Sequence, residues 1–201
     1  MRSLTLSDAG PLRCCAFSHG NAPRALAHAP GSTPPGADPG CADDDRATVK
    51  DPEEYRRFRQ ILAAAGVARV STVPVRPGTK IPAVRWADYQ DGEEGPHFPD
   101  TLARLLLTGR RSSDLAVIDV DTKGGGFDAL ERLEALHGAI PRTLSVRSPT
   151  GGLHIYVLPS RPLRTCAGVP ARGIDIRGEG GVVMVPGSEH PRGGVYRIEE
   201  Q

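Results

Sequence analysis

Hydrophobic and polar positions follow a helical period in two segments of the chain. In DPEEYRRFRQILAAAG, Asp51 is placed to cap a helix, Pro52 lies in its first turn, Glu54 holds the capping-box position and Gly66 follows the end. The apolar stripe of this helix contains Tyr55, Phe58, Ile61 and Leu62. The segment FDALERLEALHG predicts a second helix, closed by Gly138. Its stripe contains Phe127, Leu130, Leu133 and Leu136.

Other segments alternate or form short apolar runs. RVSTVPV (69–75) and LAVIDVD (115–121) predict strands, whereas PDTLARLLLTG predicts a short helix capped by Asp100 and ended by Gly109. After the second long helix, five β-rich runs are divided by Gly and Pro: TLSVRS, GLHIYVL, GIDIR, GVVMVP and GVYRIE. The order predicts an α+β domain with a central, mainly antiparallel β-sheet and flanking helices.

Residues 1–48 show no such pattern. The segment NAPRALAHAPGSTPPGADPGCADDD is rich in Ala, Pro and Gly and nearly free of aromatic and β-branched residues. Burial within such a segment cannot offset the entropy lost on ordering. We therefore predict a disordered tail over 1–48 and one domain over 49–201, which is long enough to bury a core.

Composition argues against several classes of protein. The net charge of +1 gives no global argument for binding nucleic acid or membranes. The four cysteines show neither C-x-x-C spacing nor a histidine at finger spacing, so we expect no zinc site and no disulfide framework, and we predict a reducing cytoplasm. No apolar run approaches the roughly 20 residues of a membrane helix. The N-terminus does not resemble a secretory signal.

Two carboxylates lie in the predicted strand that opens LAVIDVDTKGGG. Asp119 and Asp121 point to one face, because side chains alternate along a strand, and could share a cation. Capping of the next helix, or a solvated strand end, is the alternative. An EF-hand is excluded, since Lys123 and Leu130 replace its ligands, and the glycines form neither a P-loop nor a dinucleotide-binding turn. We interpret them as a tight exit from the strand into the helix.

Two later segments add a histidine and a third carboxylate. In SPTGGLHIYV, His154 and Tyr156 share a strand face, and a purely structural histidine is the alternative. In RGIDIRGEGGVVMVPGS, Asp175 and Arg177 share the polar side of a strand, and a structural salt bridge is the alternative for Asp175. Together, the carboxylates, the histidine and the glycine turns match the requirements of metal-dependent phosphoryl transfer. His154 or Arg177 would then neutralise phosphate charge.

These motifs resemble the bifunctional primase/polymerase (prim-pol) domain of the archaeo-eukaryotic primase superfamily. The resemblance is carried by IDVD with KGG, by SPTGGLHIYV, and by GIDIRGEGGVVMVPGS with GGVY close behind. The upstream VPVRPGTKIPAVRW is similar to the N-terminal segment of that family. The similarity covers about residues 69–198, in the same order and with similar spacing. It implies a primase-like α+β catalytic domain.

The resemblance implies a nucleotidyltransferase that synthesises and extends primers from nucleoside triphosphates in DNA replication, with Mg²⁺ or Mn²⁺ as cofactor. Asp119 and Asp121 match the first acidic motif, and Asp175 matches the third acidic residue; all three are implied metal ligands. His154 matches the histidine that contacts the nucleotide phosphates. Further nucleotide or template contacts are implied for Gly152, Arg177, Lys80 and Ser188.

The implied partners are nucleoside triphosphates, a single-stranded DNA template and a separate helicase or replication protein. One departure is Gly152, where related primases often carry serine, so one phosphate contact is missing or made by backbone amides. Two other functions stay open. One is a non-catalytic nucleotide or nucleic-acid binding module derived from a primase domain, and the other is a metal-dependent phosphohydrolase or nuclease that uses the same acids.

Overall fold

The computed structural model describes residues 49–86 and 103–199, so the predicted tail over 1–48 lies outside the described residues. A short 3-10 helix, Arg110–Ser112, follows the second strand. The helices and strands of the described ranges are α1 Pro52–Ala64, β1 Thr72–Pro74, β2 Arg104–Leu107, β3 Ala116–Val120, α2 Gly126–His137, β4 Ser145–Arg147, β5 Leu153–Val157, β6 Ile174–Arg177, β7 Val182–Met184 and β8 Arg197–Glu199.

The strands form two antiparallel sheets. One has the order β1-β2-β7, and the other has the order β6-β3-β5-β4-β8. The predicted α+β class and antiparallel pairing are confirmed, but the single central sheet is divided in two. The division falls at the glycine-rich turn between β6 and β7. A Cβ atom on Gly178 would lie 2.2 Å from the Leu163 carbonyl oxygen, and one on Gly181 would lie 2.6 Å from Thr108 Oγ1. This close passage lets β7 pair with β2.

Helix α1 forms where the sequence predicts it. The Asp51 carboxylate accepts a hydrogen bond from the backbone N–H of Glu54 at 3.2 Å, and Pro52 begins the helix. The Glu54 side chain does not close the capping box; its carboxylate accepts from the backbone N–H of Ile198 on β8. The helix is thereby tied to the edge of the five-stranded sheet. Its buried residues are Tyr55, Phe58 and Leu62.

Two apolar clusters hold the sheets. The larger cluster joins α1, the three-stranded sheet and one face of the five-stranded sheet, including Val117 and Tyr156. The smaller cluster joins α2 to the opposite face of the five-stranded sheet and contains Val120, Leu153, Ile155, Ile118, Phe127 and Leu130. Helix α2 has the predicted position, but Leu136 is 76% exposed, so the predicted stripe is wrong at this residue. The helix packs on β3 and β6.

The prediction of a helix in PDTLARLLLTG is wrong for the residues of this segment that the structure describes. The structure describes this segment from residue 103, and Asp100 lies outside the described residues. Arg104–Leu107 forms β2, the middle strand of its sheet, and all four residues are buried. A short apolar run that is covered on both faces has no alternation by which a sequence pattern could separate strand from helix.

The remaining predicted strands are confirmed over shorter ranges than their segments. RVSTVPV contains β1, and the five later runs contain β4, β5, β6, β7 and β8. Within the described ranges, none of the helices combines the length and apolar character needed to span a membrane.

Candidate active site

A cleft with a volume of about 640 Å³ opens on the polar face of the five-stranded sheet. Side chains from β3, β5 and β6 line it, together with the turn that contains Lys80 and the turn that contains His190 and Arg192. It brings together most of the predicted site residues. Those that line it are Lys80, Asp119, Asp121, Gly152, His154, Asp175 and Arg177.

The centre of the cleft is set by strand register. Asp119 on β3 lies directly opposite His154 on β5 and directly opposite Asp175 on β6. Residues opposite each other in antiparallel strands share a face and lie side by side. Three residues that are far apart in sequence therefore form one row across three adjacent strands, as the alternation along each strand predicts.

Asp121 lies just beyond the end of β3, at the exposed mouth of the cleft. Its Oδ1 atom accepts a hydrogen bond from the backbone N–H of Lys123 at 3.0 Å. One of its oxygens thus stabilises the turn that leads into α2, but it does not cap the helix, because α2 has Gly125 at its N-cap and no side-chain cap hydrogen bond. The other oxygen, Oδ2, could contact a cation in the cleft.

Arg177 bridges two carboxylates of the row. Its Nη2 atom lies 3.2 Å from Asp119 Oδ2 and 2.8 Å from Asp175 Oδ2, and its Nε atom donates to the same Asp119 oxygen at 3.3 Å. Asp175 Oδ1 also accepts from the backbone N–H of Gly168 at 2.7 Å. The salt bridge considered as the alternative for Asp175 is therefore present, and it includes Asp119 as well.

His154 is buried beside Asp119. Its Nε2 atom lies 3.5 Å from Asp119 Oδ1, and its Nδ1 atom is buried without a hydrogen-bond partner among the described residues. Burial lowers the pKa of His154; the Asp119 carboxylate opposes this effect, and the charges of Lys80 and Arg177 add to it. The imidazole is therefore neutral at pH 7, with one ring nitrogen free to accept or donate a hydrogen bond.

The ring of Tyr196 lies beside His154 in the cleft and contacts His190 and Lys80 as well. The ring centroid lies 5.7 Å from that of His154 and 5.8 Å from that of His190, and Lys80 Nζ lies 5.7 Å above it. Burial lowers the pKa of Lys80, while the Asp119 and Asp121 carboxylates oppose that effect. Lys80 thus brings a positive charge into the cleft that the acids line.

Sequence reasoning missed His190, Arg192 and Tyr196, all of which line the cleft. They lie in SEHPRGGVY, a glycine-containing turn that leads to β8. The His190 Nδ1 atom accepts from the backbone N–H of Arg192 at 3.0 Å, and burial lowers the pKa of His190. Basic residues in a tight turn directly after the last motif were the available signal, but the pattern could not show that this turn folds back over His154.

The glycines after Asp121 serve close backbone packing. A Cβ atom on Gly124 would lie 2.6 Å from Gly173 Cα, and one on Gly126 would lie 2.3 Å from the Gly173 carbonyl oxygen. That carbonyl accepts a hydrogen bond from the Asp121 N–H at 2.8 Å. The turn is therefore held against the start of β6, in agreement with its interpretation as a tight exit from the strand. Gly125, with φ of 72°, makes the positive-φ step into α2.

Gly152 packs tightly in the turn before His154. A Cβ atom there would lie 3.0 Å from the Val120 carbonyl oxygen and 3.1 Å from Ser148 Oγ. Ser148 and Thr150 line the cleft, with their hydroxyl oxygens 3.1 Å apart. Where related primases often carry serine, the neighbouring hydroxyl in this chain belongs to Ser148.

Ser188 does not line the cleft. It is fully buried, and its Oγ atom accepts a hydrogen bond from the backbone N–H of Arg104 at 3.2 Å. This contact joins the turn after β7 to β2. The predicted nucleotide contact of Ser188 is thus not matched by its position, because the hydroxyl is used inside the fold.

The donor set suits a hard divalent cation only after a rearrangement. Carboxylate oxygens are the ligands that Mg²⁺ and Mn²⁺ prefer. Within residues 49–86 and 103–199, however, no three His, Cys, Asp or Glu side chains converge closely enough to hold a metal ion as they stand. The guanidinium of Arg177 lies between the Asp119 and Asp175 carboxylates, so these two acids and Asp121 could hold a cation once Arg177 moves.

The family model described as "Bifunctional DNA primase/polymerase, N-terminal" matches residues 30–201. The match includes every residue that lines the cleft, and it begins within the segment predicted as a tail. None of the curated proteins matches the chain.

Proposed function

Because this chain belongs to the bifunctional DNA primase/polymerase family, whose members are nucleotidyltransferases, we propose that it catalyses template-directed nucleotidyl transfer. The 3′ oxygen of a primer, or of a first nucleotide, attacks the α-phosphate of a bound nucleoside triphosphate, and pyrophosphate leaves. The observation that carries the proposal is the row of His154, Asp119 and Asp175 across adjacent strands, in a cleft that Lys80 and Arg192 also line.

Asp119, Asp121 and Asp175 would hold Mg²⁺ or Mn²⁺. When bound, such a cation polarises phosphoryl oxygens and neutralises charge that develops during the transfer. The carboxylates fit this role because they are oxygen donors that line one cleft. The turn between β3 and α2 is fixed to the start of β6 by the hydrogen bond from the Asp121 N–H to the Gly173 carbonyl oxygen.

The remaining residues of the cleft suit the triphosphate. Lys80 and Arg192 carry positive charge for phosphate oxygens, and neutral His154 offers a hydrogen bond between them and the carboxylates. Ser148 and Thr150 add hydroxyl donors in the turn before His154. These groups would orient the α-phosphate toward the attacking oxygen, which lowers the entropic part of the barrier.

The proposed partners follow from the reaction. Nucleoside triphosphates are the substrates, a single-stranded DNA template directs the choice of base, and a separate helicase or replication protein would supply the opened strand.

The test is incubation of the purified chain with labelled dATP or ATP, a primed single-stranded template and Mn²⁺. We expect chain growth with the unmodified protein and its loss in Asp119→Asn, which keeps the size of the side chain. Glu131→Gln, an exposed change on α2 behind the sheet, is the matched control and should retain activity. Release of nucleoside mono- or diphosphate without chain growth would instead identify a hydrolase.

A second candidate is a module that binds nucleotide without turnover. It is favoured by one observation, the ion pairs by which Arg177 already neutralises both Asp119 and Asp175. Nucleotide binding by a folded protein that neither extends a primer nor forms a dinucleotide would support this candidate and contradict the transferase.

A further inference from the structure

Arg177 occupies the position where a shared cation would lie. A single nitrogen, Nη2, is within 3.2 Å of Asp119 Oδ2 and 2.8 Å of Asp175 Oδ2. The three side chains are only 31%, 25% and 27% exposed, so water screens these contacts less than it would at an open surface. The guanidinium and a cation ligated by the same two oxygens cannot be present together.

The ligand-free chain needs this positive charge. Asp119 and Asp175 are directly opposite each other on paired strands, an arrangement that is destabilising for like charges. Arg177 makes hydrogen bonds to both carboxylates and is therefore their counter-ion.

Displacing the guanidinium has a cost of its own. A partly buried arginine that loses both carboxylate partners leaves an uncompensated charge unless another anion is within reach. Arg177 lines the same cleft as Lys80 and Arg192, where the triphosphate is proposed to lie. A phosphate group would accept the planar guanidinium with two hydrogen bonds. Arg177 is the last residue of β6 and lines the cleft, so the transfer that we infer requires its side chain to move and not the strand.

We propose that Arg177 couples metal binding to nucleotide binding. Without a bound cation, the Arg177 guanidinium occupies the carboxylate pair and opposes the binding of divalent cations. When a cation binds, the guanidinium moves to the triphosphate. Each ligand therefore lowers the cost of binding the other. The inference rests on the proposed function in one respect, since the triphosphate is the second ligand. It predicts positive cooperativity that is equal in both directions, as linkage requires.

The test measures Mn²⁺ binding without turnover. Free Mn²⁺ is followed by electron paramagnetic resonance in a titration of the full chain, with and without a non-hydrolysable α,β-methylene analogue of dATP. For the unmodified chain we expect the analogue to tighten Mn²⁺ binding by about 5- to 150-fold, the usual span of coupling between sites. Arg177→Met should bind Mn²⁺ alone about tenfold more tightly than the unmodified chain. The analogue should tighten Mn²⁺ binding to this variant by a clearly smaller factor than in the unmodified chain, because only direct contact between cation and phosphate still couples the two ligands.

Two controls separate displacement from general electrostatics. Arg132→Met removes one positive charge from the exposed surface of α2, on the other side of the sheet, and should leave Mn²⁺ affinity and coupling close to those of the unmodified chain. Arg177→Lys keeps the positive charge but loses the planar guanidinium that bonds both carboxylates, so its affinity for Mn²⁺ should be intermediate. It also provides the comparison if Arg177→Met does not fold, as judged by circular dichroism.

The outcomes distinguish this inference from the proposed function. Mn²⁺ affinity that is unchanged or weaker in Arg177→Met and Arg177→Lys overturns the coupling, even if the unmodified chain extends primers. Cooperativity between Mn²⁺ and the analogue that is clearly weaker in these variants supports the coupling, even if no primer is extended and the transferase proposal fails. An equal gain in Arg132→Met also overturns it, because overall charge would then explain the effect.

Discussion

The two faces of the five-stranded sheet are built from alternate residues of the same strands, yet they depend on different physical properties. On the face covered by α2, Val120 and Ile118 pack with apolar side chains of the helix. On the other face, Asp119 joins the row with His154 and Asp175. The apolar face is held by buried volume, which many side chains can supply, whereas the charged face depends on individual atoms and their hydrogen bonds.

The charged face also passes directly into the larger core. Two residues before Asp119, Val117 is fully buried, and its partner in the register is Tyr156. Burial raises the pKa of Tyr156, and its hydroxyl is without a hydrogen-bond partner in the part of the chain that the structure describes. On this face, Val117 belongs to the core and Asp119, the next residue to point the same way, lies in the cleft. The buried part of the strand therefore holds Asp119 in place.

The largest difference between an effect on activity and an effect on stability is expected at Asp175. Asp175→Asn should lower the rate of the proposed nucleotidyl transfer at least about a hundredfold, because it would remove a charged oxygen from the proposed cation site, which would supply several kcal/mol in the transition state. Stability should change by only about 1 kcal/mol or less, because the asparagine oxygen can still accept from Gly168. Primer-extension rates and urea unfolding measure the two effects. A large loss of stability would contradict the separation of the two faces.

The adjacent residue tests the opposite face. Ile174 is fully buried and lies opposite Val120 in the strand register. Ile174→Ala should lower the free energy of unfolding by about 2–5 kcal/mol, and Ile174→Val by about 0.5–1.5 kcal/mol, because of the lost contacts and the cavity. Below the unfolding transition, the extension rate should remain near that of the unmodified chain. A rate that falls with the removed volume would mean that packing on the α2 face also sets the geometry of the site.

The turn between β3 and α2 connects the two faces and should be sensitive to space rather than to charge. Gly124→Ala places a methyl group 2.6 Å from Gly173 Cα and should cost about 1–3 kcal/mol of stability through overpacking. Gly125→Asn is the matched control, because that residue has positive φ and no neighbour within 4 Å; it should change stability by about 0.5 kcal/mol or less. Equal losses in thermal unfolding would show that conformation, not close packing, limits the turn.

Period-two alternation made the charged row predictable. It assigns Asp119, His154 and Asp175 each to the polar side of a strand, and three strands in one antiparallel sheet can then bring these sides together. The glycine turn before α2 was also predictable, because three consecutive glycines at the end of a strand favour close backbone passage. Local patterns were sufficient wherever one face of an element is buried and the other is not.

Long-range placement was not predictable in the same way. β2 is buried on both faces, so its apolar run had no period, and β7 joins it only because the turn at Gly178 redirects the chain. Lys80 and Tyr196 approach the cleft from opposite ends of the described chain, and their contact depends on how two turns fold over the sheet. At Gly152 the sequence predicts a phosphate contact that is missing or made by backbone amides, because it cannot show that the hydroxyl of Ser148 lies beside this position.

The smallest expected effect lies at the rim of the charged face, where His190 is buried near Lys80 and Arg192. Because burial and these charges lower its folded pKa below the ordinary value of about 6.5, the unfolded chain binds more protons below that pH, and stability falls as pH decreases. The slope from this residue is less than about 1.4 kcal/mol per pH unit. His190→Asn keeps an acceptor for the Arg192 N–H but cannot titrate, so the free energy of unfolding should depend less on pH below about 6.5. The free energy of unfolding is measured with urea at several pH values. If it depends on pH equally in both proteins, the pH sensitivity of this face belongs to its carboxylates alone.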